Sequence, residues 1–369
     1  MDPLSNPIKD YAWGSRTAIA ALTGRAATGP EAEMWLGAHP SGPSRLVRDG
    51  SEVTLDQVIA ADPEAALGQP VIDRFGRRLP YLMKLIAVDQ PLSLQVHPTS
   101  EQAAEAFGRG DSNYSDSWHK PEMICALTPF SGLAGFRPST QSAMLVERLQ
   151  VEALQPVVSR LSADDVLGAL RVLLEWPGSK RELVESIVWA AASVHQADYE
   201  LVCRLARQYP EDPAVLAPLL MHRHELAPGQ ALYLGAGVLH CYLDGFGVEI
   251  MAGSDNVLRA GLTSKRIDVE ELLRITEAGA QPLPVVQEGD AYVPPAPEFL
   301  LRRIVPGDGH VLERAVPRIV VCTEGTVAVS GPDATQVKLH PGESVFVPAS
   351  DGPVELSGDG TVFSAEPQV

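Results

Sequence analysis

Two residues with metal-binding side chains alternate with apolar residues in the segment SLQVHP, residues 93–98. On an extended strand Gln95 and His97 would point to one face, and Leu94 and Val96 would point to the other. The apolar face predicts packing against a core. The ordinary role of a histidine in such a pair is structural, through hydrogen bonds to its neighbours. The rest of the chain must therefore decide whether His97 has another role.

Two further residues of the same ligand chemistry lie at the ends of strand-like segments. Glu122 stands in HKPEMICAL just before an apolar run, and His240 stands in GVLHCYL. With Gln95 and His97 they form a set of imidazole, carboxylate and amide groups that suits a zinc-type ion with one position open for substrate. Two histidines and one glutamate would also suit non-haem iron, and spacing does not choose between the two metals.

Composition limits the classes of protein and partner. The chain has 369 residues, is 45% hydrophobic and contains no apolar run long enough to span a membrane. This predicts a globular protein of two or three domains, or of one elaborated domain. A formal net charge of −18 disfavours nucleic acid and anionic membranes as partners. The start of the chain shows no secretory signal, and four widely separated cysteines fit reduced thiols. We therefore expect a cytoplasmic protein. We also expect a monomer, although composition does not bear on the oligomeric state.

The hydrophobic pattern divides the chain into three regions. Residues 1–138 predict mainly strands and loops with short helices such as SEQAAEAFG, and residues 139–222 predict an inserted bundle of four or five helices. Residues 223–369 return to short strands. The segments ELAPGQALYLGA (225–236) and KLHPGESVFVPA (338–349) match position for position. Each predicts a hairpin with a Pro-Gly turn, and together they predict two related β-barrels or jelly rolls.

The two copies differ in their chemistry. Where the first copy has His240, the equivalent position of the second copy is Pro353. Proline offers no ligand atom, so we expect a metal in the first barrel only.

The segments NPIKDYAWGS, SLQVHP, HKPEM and GVLHCYLDGFGVEIMAGSDNVLRAGLTSK resemble type I mannose-6-phosphate isomerases, and the resemblance spans the chain. It implies a mainly β protein with an inserted α-helical domain and two cupin (jelly-roll) barrels. The implied domains are a catalytic barrel of residues 1–138 with 223–280, a helical domain of 139–222 and a degenerate barrel of 281–369. The implied function is zinc-dependent interconversion of mannose 6-phosphate and fructose 6-phosphate through a cis-enediol, in mannose metabolism and GDP-mannose biosynthesis.

Transferred residue by residue, the resemblance places one Zn²⁺ on Gln95, His97, Glu122 and His240, and an active-site arginine at Arg259. That arginine could stabilise the enediolate, or it could form an ordinary ion pair with Asp255 or Glu249. The chain departs from the usual family pattern at three positions that are neither ligands nor the arginine: Trp118, Cys241 and Ser264 stand where the family has Asn, Ala and Pro.

Other polar residues of these segments are candidates for proton transfer. Lys120 would share a strand face with Glu122, and Lys84 in YLMKLIAV is either an edge-strand charge or a buried functional group. Glu249 or Asp255 could be the general base, although Glu249 could equally be a paired structural acid. His119 could assist ring opening or be an ordinary loop residue.

The phosphate of the substrate would need cationic and hydroxyl groups away from the metal. Ser93, Lys265, Arg266 and Arg259 are the candidates nearest in sequence. Two other functions stay open: an iron oxygenase of the cupin type using His97, Glu122 and His240, and a sugar-binding cupin without catalysis.

Overall fold

The computed structural model describes residues 1–48, 50–333 and 335–369, and within these ranges the chain is mainly β. The strands are β1 Asp2–Leu4, β2 Ile8–Lys9, β3 Glu33–Leu36, β4 Arg45–Arg48, β5 Ser51–Thr54, β6 Tyr81–Val88, β7 Leu94–Val96, β8 Glu122–Ala126, β9 Phe130–Phe136, β10 Met221–Leu226, β11 Ala231–Leu234, β12 His240–Ala252, β13 Leu258–Gly261, β14 Leu283–Val285, β15 Ala291–Tyr292, β16 Leu300–Ile304, β17 Gly307–Leu312, β18 Arg318–Gly325, β19 Val327–Ser330, β20 Gln336–Leu339, β21 Ser344–Val347, β22 Val354–Gly358 and β23 Gly360–Glu366.

The helices lie mostly in the middle of the chain. They are α1 Ala18–Leu22, α2 Leu55–Ala61, α3 Pro63–Leu67, α4 Gln69–Phe75, α5 Ser100–Gly108, α6 Ser139–Glu147, α7 Gln155–Ser162, α8 Val166–Leu174, α9 Lys180–Ala191, α10 Ala197–Gln208, α11 Ala217–Leu220 and α12 Val269–Ile275. No helix in the described ranges has the length and apolar character needed to cross a membrane.

Local sequence accounts for the elements around the site. The helix α5 begins at Thr99, whose hydroxyl accepts from the Gln102 N–H at 3.2 Å while the Gln102 side chain accepts from the Thr99 N–H at 2.9 Å. This capping box satisfies two N–H groups that would otherwise lack partners. The strand β6 follows from the run YLMKLIAV, in which every residue is buried.

Strand β12 is the centre of an 11-stranded sheet. It pairs with β6 and β8 along its C-terminal half and with β7 and β9 at its N-terminal end. The strand β7 also pairs with β13. A single long strand therefore connects the segments that carry every residue predicted as a metal ligand.

The helical region packs against one side of the site. Leu94 and Val96 are 1% and 0% exposed and belong to the same apolar cluster as the helices between residues 139 and 220. The alternation of SLQVHP thus divides as predicted, since the apolar side chains face this helical core. Burial of that face holds the strand so that Gln95 points the other way.

The glycines of the two Pro-Gly segments have the same φ, but the segments are not hairpins. Gly229 and Gly342 both have φ of 85°, a left-handed value that favours glycine. The strands on either side of each turn pair with other strands: β10 with β9, β11 with β8 and β14, β20 with β19, and β21 with β18 and β1. The prediction of two hairpins is therefore wrong. Each turn is a corner at which the chain changes its partner strands.

The first strand of the chain completes a sheet formed by the last third. Strand β1 pairs antiparallel with β21, at the edge of the six-stranded sheet ordered β1-β21-β18-β23-β16-β15. The chain segments before and after the helical region are also joined by one apolar cluster, which includes Leu85, Val248 and Phe363.

We expect one fast-reacting thiol in the folded protein. Burial raises the pKa of all four thiols, to about 11 for Cys125 and to about 12 for Cys241. Cys125, Cys241 and Cys322 are buried, whereas Cys203 is half-buried and is therefore the thiol that a reagent can reach. Because the thiolate is the reactive form, the buried thiols should react only after unfolding. Titration with a disulfide reagent at pH 8 should show Cys203 alone in the native state, and Cys203→Ser should remove that fast phase. A second fast thiol in native Cys203→Ser would contradict this expectation.

Candidate metal centre

Strand register brings the predicted ligands together. Gln95 in β7 lies opposite His240 on β12 and opposite Arg259 on β13. Glu122 opens β8, where it lies opposite Met251 of β12 and Leu234 of β11. Residues opposite each other in a sheet have Cβ atoms about 5 Å apart, so residues 145 positions apart in sequence become neighbours.

His97, Glu122 and His240 form a compact buried cluster. One ligand atom from each lies within 4.8 Å of the others. The Nε2 of His97 is 3.3 Å from Oε2 of Glu122, and the Nε2 of His240 is 2.9 Å from Oε1. The three residues are 0%, 1% and 1% exposed. They form the one group of three or more His, Cys, Asp or Glu ligand atoms this close within the described ranges.

The hydrogen bonds of the two histidines determine which ring nitrogen carries the proton. The Nδ1 of His97 donates to the Asn256 carbonyl at 2.8 Å, and the Nδ1 of His240 donates to the Val238 carbonyl at 2.8 Å. A carbonyl can only accept, so in each neutral ring Nδ1 carries the proton and Nε2 presents a lone pair. Both lone pairs face the Glu122 carboxylate, which is itself an acceptor.

This arrangement of acceptors is unfavourable without a cation. The Nε2 of His97 and the Oε1 of Glu122 are buried and have no hydrogen-bond partner. Buried polar atoms without partners are costly in a folded protein, and a divalent ion between them would satisfy all three groups. The residues therefore fit a zinc ion, which accepts imidazole and carboxylate ligands.

Gln95 completes the set on the side of His240. Its amide nitrogen is placed 3.3 Å from the Nε2 of His240. The oxygen and nitrogen of a glutamine amide have nearly the same shape, so a rotation of the amide presents the oxygen at this position. Gln95 is thus placed to act as a fourth ligand, as the resemblance implies.

The electrostatic environment keeps the candidate ligands His97 and Glu122 in the protonation states that bind metals. Burial and the charge of Lys120 lower the pKa of His97 to about 4, so its ring is neutral at pH 7. Burial alone would raise the pKa of the Glu122 carboxyl, but the Lys120 ammonium 3.3 Å away and the neighbouring His97 and His240 side chains together outweigh burial and hold that pKa well below its usual range. Neutral imidazole and ionised carboxylate are the forms that bind metals.

The cluster lies beside a cavity of about 1100 Å³. Nine of the predicted site residues line this cavity: Lys84, Ser93, Gln95, Lys120, Glu122, Glu249, Asp255, Arg259 and Lys265. A cavity of this size, with several polar groups converging on it, is typical of a small-molecule site.

Lys84 is a buried charge rather than an edge-strand residue. It is 7% exposed on β6, its Nζ is 2.9 Å from Oε2 of Glu249, and it is 3.7 Å from Oε1 of Glu33. The carboxylates raise the pKa of Lys84 despite burial, so it remains an ammonium. Burial raises the pKa of Glu249 in spite of the Lys84 charge. Lys84, Glu249 and Glu33 thus form a group of buried charges that lines the cavity.

Arg259 faces the cavity without an ion pair. No described carboxylate lies within pairing distance of its guanidinium, so the predicted alternative of a structural pair with Asp255 or Glu249 is not observed. Burial lowers the pKa of Arg259, yet a guanidinium stays charged at neutral pH. The charge is therefore available to a ligand.

The remaining predicted residues are placed differently. Asp255 is half exposed at the cavity wall, and its Oδ1 lies 3.4 Å from Nε2 of His39. His119 is bonded instead to Glu298 at 2.7 Å and is not among the residues that line the cavity. This position does not support a direct role for His119 in ring opening.

Several residues of the site were missed by sequence reasoning. Glu33, His39 and Asn256 contact predicted residues across strands or loops, and the stacked rings of Tyr11 and Trp13 line the cavity mouth with centroids 5.7 Å apart. Residues 208–212, at the end of the helical region, also line the cavity. The sequence around these residues gives no such signal on its own, because the contacts depend on which strands pair.

Comparisons with known proteins agree with this geometry. Residues 1–139 match the family model described as the catalytic domain of type I phosphomannose isomerase, and residues 305–367 match the cupin domain of mannose-6-phosphate isomerase. The chain is 34% identical to the mannose-6-phosphate isomerase of Escherichia coli K12 over 98% of both chains. It is also 34% identical to the human protein of that name, over 95% of this chain and 93% of that one.

Solved structures show the same fold. A mutant of phosphomannose isomerase from Salmonella typhimurium superposes with a TM-score of 0.93 at 32% identity, covering 100% of both chains. A zinc-bound mannose 6-phosphate isomerase superposes with a TM-score of 0.92 at 32% identity, covering 100% of this chain and 99% of that one. Sequence identity over nearly the whole length, with a buried cluster that fits zinc, shows that the chain belongs to the type I family of mannose-6-phosphate isomerases.

Proposed function

We propose that the protein interconverts mannose 6-phosphate and fructose 6-phosphate by moving a proton between C1 and C2 through a cis-enediol. One zinc ion would be held by Gln95, His97, Glu122 and His240. The observation that carries the proposal is the pair of imidazole lone pairs directed at a buried carboxylate beside an open cavity. When bound, zinc would supply Lewis-acid polarisation of the sugar oxygens.

The residues around the cavity can supply the remaining chemistry. Glu249 is our candidate for the general base, because it is buried at the cavity and its raised pKa moves toward the range useful for proton transfer. It would take the proton from C2 of the open-chain aldose and return it to C1, while a proton moves from O2 to O1. Lys84 would hold the Glu249 carboxylate in place. Asp255, more exposed, is the candidate for opening the sugar ring.

The cations of the cavity would bind negative charge. Arg259 and Lys120 flank the ligands, where they can donate to the oxygens that gain charge in the enediolate. Ser93 and Lys265 are our candidates for the phosphate, since both line the same cavity and an ammonium with a hydroxyl suits a phosphate.

We also infer two related cupin barrels within the domain limits that the sequence predicts, 1–138 with 223–280 and 281–369, separated by the helical domain of 139–222. The equal turn conformations at Gly229 and Gly342 support this relation. The second barrel would hold no metal, because Pro353 replaces the histidine.

The protein would act as a cytoplasmic monomer on a small phosphorylated sugar, feeding mannose metabolism and GDP-mannose biosynthesis. Four free cysteines support a reducing compartment, and the net charge of −18 disfavours nucleic acid.

The test measures fructose 6-phosphate formed from mannose 6-phosphate before chelation, after chelation and after zinc is restored. We expect activity to disappear with the chelator and to return with zinc. Activity that survives complete metal removal would overturn the zinc assignment. A folded, zinc-loaded protein without activity would favour the sugar-binding alternative, and oxygen uptake after iron loading would favour the oxygenase.

Replacing Arg259 by alanine should lower kcat by roughly 10²- to 10³-fold, the usual effect of losing one preorganised donor to a developing oxyanion. Because Arg259 forms no ion pair with the described residues, the free energy of unfolding should change little. Arg137→Ala is the matched control: Arg137 bonds Asp198 and the carbonyls of Met221 and Pro218, so its loss should reduce stability and spare kcat. Equal kcat values for the two variants would refute the role of Arg259.

A further inference from the structure

The segment Ser254–Asn256 connects the metal cluster with the substrate cavity. It lies between β12 and β13, and the Asp255 side chain lines the cavity. The backbone carbonyl of Asn256 accepts the Nδ1–H of His97 at 2.8 Å. One short loop therefore carries a side chain that lines the cavity, and its backbone also bonds the ring of a predicted ligand.

Asn256 is fully buried, and its side chain ties this loop to residues 115–118. Its Oδ1 accepts from the Ser115 N–H at 2.8 Å, and its Nδ2 donates to the carbonyls of Asp116 and Trp118, each at 2.8 Å. Both ends of the amide are thus bonded to backbone groups, which fixes the side chain and, with it, the direction of the Asn256 carbonyl.

Asp116 holds the same loop from outside. Its Oδ1 accepts from the Ser254 hydroxyl at 2.9 Å and from Nδ2 of Asn256 at 3.2 Å, and its Oδ2 accepts from the Asp255 N–H at 3.0 Å. The loop is therefore bonded through its backbone and through two of its side chains. A network in which every polar group is bonded holds the loop more rigidly than a single hydrogen bond would.

We propose that Asn256 is a positioning residue for His97: its locked side chain aims the carbonyl that keeps the proton on Nδ1 and leaves the Nε2 lone pair facing the metal position. The proposal rests on the zinc site inferred above. If the carbonyl moved, the His97 ring would lose its only described partner for Nδ1 and could place its proton on Nε2, where it would block a metal. Groups that orient a ligand histidine in this way typically change metal affinity by 10- to 100-fold.

The isosteric change Asn256→Asp tests this directly. It replaces the donating NH₂ by an oxygen that faces the Asp116 and Trp118 carbonyls, so the loop must shift. We expect the zinc dissociation constant, measured by competition with a chromophoric chelator, to rise about 10- to 100-fold. The visible spectrum of the cobalt-substituted protein should change, and the ring-nitrogen NMR shifts of metal-free His97 should show a mixture of tautomers in place of one.

Two further variants separate positioning from general stability. Asp165→Ala removes the side chain that caps α8 in the helical region, and it should reduce stability while leaving the zinc dissociation constant and the cobalt spectrum unchanged. Asp116→Asn is the milder probe should Asn256→Asp fail to fold. Its oxygen can keep the bonds to Ser254 and Asn256, but its NH₂ then faces the Asp255 N–H, and we expect a dissociation constant raised several-fold.

Zinc affinity and cobalt spectrum unchanged in a folded Asn256→Asp or Asp116→Asn protein would overturn the proposal. A wild-type protein that fails to bind zinc would instead overturn the function proposed above, so the two failures are distinguishable.

Discussion

Replacing Glu122 by glutamine is expected to abolish zinc binding and to lower kcat/KM by about a thousandfold or more, equal to about 4 kcal/mol of transition-state stabilisation. Glu122 is the only carboxylate between the two imidazole lone pairs in the described cluster. Glutamine keeps the shape but removes the charge that attracts a divalent ion. Measured zinc content after dialysis and isomerase activity at saturating zinc are the two readouts.

The matched control for this change is Glu271→Gln. Glu271 is also buried and accepts hydrogen bonds from Tyr114 and Arg274, but it lies outside the cavity lining. Its substitution should reduce stability and leave zinc content at one per chain. Full zinc occupancy in folded Glu122→Gln would show that the carboxylate is not a ligand.

Lys84→Met should reduce the free energy of unfolding by about 3–5 kcal/mol at pH 7, because it leaves the Glu249 and Glu33 carboxylates buried without their cation. Methionine fills a similar volume, so the loss of stability would come from the missing charge rather than from poorer packing. Denaturant unfolding of the metal-free protein measures the effect.

The effect should depend on pH with a defined sign. Burial already raises the pKa of Glu249 above 4.5 in the folded wild type, and removing Lys84 raises it further. The folded variant therefore binds a proton more tightly than its unfolded chain. Its deficit in stability relative to wild type should shrink as the pH falls and grow as the pH rises through the folded-state pKa.

The double variant Lys84→Met, Glu249→Gln is the control for this prediction. Removing the unpaired charge should recover part of the lost stability, since neighbouring changes are not additive. Strictly additive losses would indicate that the two residues do not interact.

The sequence predicted those elements whose signals are local. The helix SEQAAEAFG occupies the residues predicted for it, because its N-terminal capping box and its apolar spacing lie within ten residues. The alternation in SLQVHP correctly assigned Leu94 and Val96 to the core. The four candidate ligands could be selected by residue type, and the family resemblance is confirmed by 34% identity over 98% of the chain.

The parts that the sequence did not predict depend on distant pairing. The two Pro-Gly segments have the same glycine conformation. Whether the strands on either side pair with each other depends on which other strands of the fold are available to them. Lys84 could be an edge charge or a buried one until β6 is placed between β3 and β12. The bonds of Asn256 join loops that are about 140 residues apart, and no local pattern encodes them.

The pairing of β1 with β21 has a consequence for synthesis of the protein. The first strand leaves the ribosome early, but its partner strand is made roughly 340 residues later, or about 20–70 seconds at ordinary rates of translation. During that interval β1 cannot form its native bonds. The last sheet likewise lacks its edge strand in any fragment that begins after residue 4, and it would expose the open edge of β21 to other chains. Because of this order of synthesis, the six-stranded sheet is completed late, only after both β1 and β21 have been made.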